Sequence, residues 1–105
     1  MSTNFTMPNM QVSVTEFPYT IYHGKYSVSP DEPITISCNS IDPLIKISYK
    51  LNDIWTEYTA PYILNPGEHF SVKFDIESLT QDTQIDFINL SDNNSLITKA
   101  LFLIA

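Results

Sequence analysis

The sequence predicts an all-β fold, a single antiparallel β-sandwich of seven to eight strands, and three observations predict it. Apolar side chains recur at every second position in several separate runs, the period of a strand with one dry and one wet face. Seven prolines punctuate the chain between those runs, and no ten-residue window offers an amphipathic helix. The connecting segments carry the Asn, Asp and Gly residues that close tight turns.

The elements follow in order. Strands are expected over residues 11–15, 19–22, 33–38, 44–51, 54–58, 69–76, 83–90 and 96–104, with a short extended piece at Tyr62–Leu64. In "IKISYKL", Ile45, Ile47, Tyr49 and Leu51 share one side and Lys46, Ser48 and Lys50 the other. In "FSVKFDI", Phe70, Val72, Phe74 and Ile76 alternate with Ser71, Lys73 and Asp75. Ile34, Ile36 and Cys38 alternate with Thr35 and Ser37, which sets the thiol on an apolar face. Asn52 and Asp53 suit a tight hairpin, and Asn65-Pro66-Gly67 a turn in which proline sets φ and glycine turns left-handed. Ser91-Asp92-Asn93-Asn94-Ser95 is read as the last hairpin loop.

At 105 residues the chain makes one domain. Residues 1–10, polar and aperiodic around Pro8, read as a flexible N-terminal arm, and residues 11–105 as the sandwich. The same opening has neither a positive patch nor an apolar run, so no secretory signal is expected. The chain would then be made in the cytoplasm and released into a particle or onto a surface. No run reaches the length that crosses a bilayer as a helix, so membrane insertion is not expected.

The formal charge is −7, with five lysines scattered along the sequence and no arginine. That balance argues against nucleic acid as a partner. Cys38 is the only cysteine, which excludes an intrachain disulfide and a multi-thiolate zinc site. His23 and His69 fall in no nucleophile or metal motif, and two glycines cannot build a phosphate loop. The loop at Asp92 offers oxygen ligands without the glycine and distal glutamate of an EF-hand. The expectation is a protein with no catalytic residues, no metal and no cofactor: not an enzyme.

Two groups of residues are candidates for contacts. The chain closes on Ala100, Leu101, Phe102, Leu103 and Ile104, apolar on both faces of the expected strand. Leaving that second face wet would cost several kcal/mol at about 25 cal/mol per Å². It is covered either within the sheet by an N-terminal segment or by another subunit. With Phe5, Met7 and Met10 of the arm, these residues form the expected interface of a self-assembling homo-oligomer or polymer. Trp55, Tyr58 and Tyr62 are the alternative, a set of aromatics able to stack on sugar rings as a carbohydrate-binding module. Equally, Trp55 could be the core tryptophan of a sandwich. A small inhibitor or adaptor is a further alternative.

The stretch from Ile34 to Ile76 resembles an Ig-like domain of bacterial extracellular proteins, the chitobiase C-terminal type. The residues that carry the resemblance are Tyr49-Lys50-Leu51, Trp55, Tyr58-Thr59, Pro61, Gly67 and Asp75. In place of the usual aspartate-glycine turn stands Asn52-Asp53, and Glu77-Ser78-Leu79 replaces a glycine-asparagine pair. The resemblance implies a non-catalytic Ig-like sandwich, serving as a spacer or accessory, with no functional residue to carry over.

Overall fold

The structure is a computed structural model that describes residues 5–14, 19–25, 29–39, 42–51 and 53–104; for Val14 and residues 19–25 only the backbone is described. Its elements are β1 (Met10–Val14), β2 (Tyr19–Lys25), β3 (Ile34–Cys38), β4 (Ile45–Leu51), β5 (Ile54–Glu57), β6 (Tyr62–Leu64), β7 (Ser71–Ile76), β8 (Thr83–Asn89) and β9 (Ser95–Ile104). A 3-10 turn, Leu90–Asp92, joins the last two. The fold is an all-β sandwich. One sheet has the order β1-β9-β8-β3-β6, the other β2-β7-β4-β5.

Two features differ from the sequence expectation. The described residues form nine strands, because Tyr62–Leu64 pairs with β3 as a strand of its own. The sandwich is also not wholly antiparallel: β1 runs parallel to β9, with Met10 opposite Ala100 and Val14 opposite Ile104. Every other pairing is antiparallel.

Alternation builds the core as the sequence implies. Ile34 and Ile36 on β3, Ile45 and Ile47 on β4, and Val72, Phe74 and Ile76 on β7 all point between the sheets and are at most 5% exposed. Four phenylalanines lock the layers together. Phe74 of one sheet meets Phe102 of the other edge to face, with ring centroids 5.0 Å apart, and Phe70 meets Phe87 at 5.4 Å.

The turns have local causes. At Asn65-Pro66-Gly67-Glu68 the Glu68 N–H donates to the Asn65 carbonyl at 3.0 Å, and Gly67 holds φ +91°. This is a type II pattern, with proline where φ is negative and glycine where it is positive. Asp53 turns the β4–β5 hairpin at φ 65°; its expected companion Asn52 lies outside the described residues. After the 3-10 turn, Asn93 and Asn94 both take left-handed backbone, and Ser95 Oγ donates to Asp92 Oδ2 at 3.1 Å. Those loop residues are therefore occupied in making the turn.

Where the sequence reading expected an arm over residues 1–10, the described terminal residues pack within their own chain, and residues 1–4 lie outside the described residues. Phe5, Met7 and Met10 are 3–7% exposed in the core of their own chain. Met7 N–H donates to the Ile97 carbonyl at 2.9 Å, Thr98 Oγ1 donates to the Pro8 carbonyl at 2.8 Å, and Lys99 N–H donates to Asn9 Oδ1 at 3.2 Å. Residues 5–10 are thus laced along β9. Ala100 and Phe102 are fully buried between the sheets, while Leu101, Leu103 and Ile104 are half-buried. On the outer face the register sets Leu101 between Gln11 and Gln84, whose stems shelter it. Since β1 and β8 flank β9 on both edges, β9 has no open edge for strand addition. The physical reason is the double-sided apolar strand itself, which is satisfied by an internal position.

Two substitutions test this arrangement. Phe5→Ala should destabilise the chain by about 3 kcal/mol in chemical denaturation, as for a buried aromatic, whereas truncating a free arm would change it by under about 0.5 kcal/mol. Gly67→Ala should cost about 1 kcal/mol from backbone strain alone, since a Cβ there meets nothing within 4 Å.

Candidate functional site

The aromatic candidates do not share a surface. Tyr62 is 8% exposed and stacks on Tyr49 with ring centroids 3.9 Å apart and planes 3° from parallel. Tyr58 meets Tyr62 edge-on at 6.4 Å. The Tyr58 hydroxyl accepts from the Cys38 N–H at 3.2 Å and shares a hydrogen bond with Ser37 Oγ at 3.2 Å. These tyrosines form a seam that ties β3 and β6 of one sheet to β4 and β5 of the other. Tyr62 thus packs, and Tyr58 packs and hydrogen-bonds, within the protein. Beneath the seam, burial pushes the Cys38 thiol up from 9.0 to about 12 and raises Tyr62 well above its ordinary range.

Trp55 has the opposite fate. It lies half-buried on the outer face of the four-stranded sheet, opposite Lys50 in register. Lys50 Nζ stands 5.5 Å and Lys73 Nζ 5.0 Å from the indole centroid. Lys73 belongs to β7 and Trp55 to β5, with β4 between them. Lys73 and the indole therefore meet across β4, on the face where Ser48 is only 6% exposed. Lys46 joins the same face and pairs with Glu57 at 3.7 Å, both more than half exposed, a contact of small energetic value. Lysines scattered in sequence are thereby gathered: two of the five flank one tryptophan. Among the described residues no carboxylate is in ion-pair contact with Lys50 or Lys73.

The outer face of the five-stranded sheet is built from different chemistry. On the edge strand β6, Ile63 points outward between buried Tyr62 and Leu64 and is 54% exposed. Register places it beside Thr35, while Leu96, 39% exposed, sits opposite Ile88 and Ile88 opposite Ser37. Leu90, 41% exposed, opens the 3-10 turn, which is fastened to β3 where Thr35 N–H donates to Ser91 Oγ at 3.1 Å. At the same end of the sheet, Asp31 and Glu32 line a cleft of about 30 Å³ with Ser91 and Phe5. Asp92 follows directly in the turn. The core residues Phe5 and Ile34 reach the wall of that cleft.

A groove of about 410 Å³ opens at the other end, with Ile45, Ile47 and Tyr58 as its apolar wall and Asp42 and Glu77 on its rim. Asp42 is a turn residue there, accepting from the Leu44 N–H at 2.8 Å. Among the described residues no three of His, Cys, Asp and Glu stand together as a metal-holding group.

The buried thiol sets a pH window. A group whose acid form is favoured in the folded state stabilises it below the unfolded pKa, so stability should be full below about pH 9 and fall as pH rises toward 12. Thiol-reactive reagents should label Cys38 only as fast as the chain opens, and Cys38→Ala should flatten part of the alkaline loss seen in thermal melts. No protein-family model matches the chain, and no curated protein is recognisably similar to it in sequence.

Proposed function

We propose that this chain is a non-catalytic structural protein that binds copies of itself within a larger particle, of the kind from which a surface fibre, an appendage or a virion is built. The observation that carries the reading is Ile63, 54% exposed on the edge strand β6, with Leu90 and Leu96 also exposed on the same sheet. Single exposed apolar residues are ordinary, but a large one on an edge strand, next to unpaired backbone, is a surface that association would shelter. The resemblance to non-catalytic Ig-like spacers supports the same reading. Contacts through the buried terminal residues have no such support, so the assembly surface moves to the sheet faces.

The experiment is sedimentation velocity across a concentration series from low to high micromolar. The mass should rise with concentration, and Ile63→Lys combined with Leu96→Lys should weaken association at least tenfold while leaving the melting temperature within a few degrees. A monomer at every concentration would overturn the reading.

A further inference from the structure

We draw no further inference here: the strongest candidate, the groove beside the start of β4 where Ile45, Ile47 and Tyr58 stand before β5 pairing begins at Ser48, carries nothing, because nothing in the structure shows what covers it.

Discussion

The arrangement depends on one constraint: a ten-residue strand that is apolar on both faces over its last turns must be covered on both. Strand β9 meets that demand by lying inside its sheet, with β8 hydrogen-bonded along one edge and the first strand along the other. The covering strand must come from somewhere, and residues 5–14 supply it from the far end of the chain. Because they run parallel to β9, Met7, Pro8 and Asn9 reach back along Ile97, Thr98 and Lys99 and satisfy backbone and hydroxyl groups there. Residues 5–14 and β9 therefore pack chiefly against one another and the core.

With the edges of β9 closed, the two sheets are joined by aromatic contacts of two kinds. The phenylalanines fill the centre edge to face, each fully buried, so that truncating one would leave a void the neighbours could not close. The tyrosines form a second, polar seam at one side, where stacking holds Tyr49 against Tyr62 and the Tyr58 hydroxyl takes up the Cys38 amide. That seam keeps the thiol dry and protonated at neutral pH, which removes the one nucleophilic cysteine from reaction with solvent.

What remains outside is sorted by the pleat. Outward positions of β4, β5 and β7 carry three lysines and the tryptophan together with Glu57 and Asp75, and those of the other sheet mix polar residues such as Thr35, Ser37 and Asp86 with Ile63, Leu96 and Leu101. An acidic protein thus gathers three of its five lysines on one face. Net charge describes how such a molecule behaves at a distance, while the patches decide what happens at contact.

Much of this was legible one strand at a time. The alternation in "IKISYKL" and "FSVKFDI" determined which side chains face inward, and the Pro66-Gly67 pair determined a type II turn, because the pleat and the proline ring act over two to four residues. Cys38 was readable as a buried thiol for the same reason. Tertiary structure alone decided that residue 10 lies beside residue 100 in parallel, that Trp55 stands on the outer face, and that Lys50 and Lys73, on two different strands, converge on it. Pairing between strands is settled by how whole faces close over one another, a property shared among distant segments and written in none of them singly.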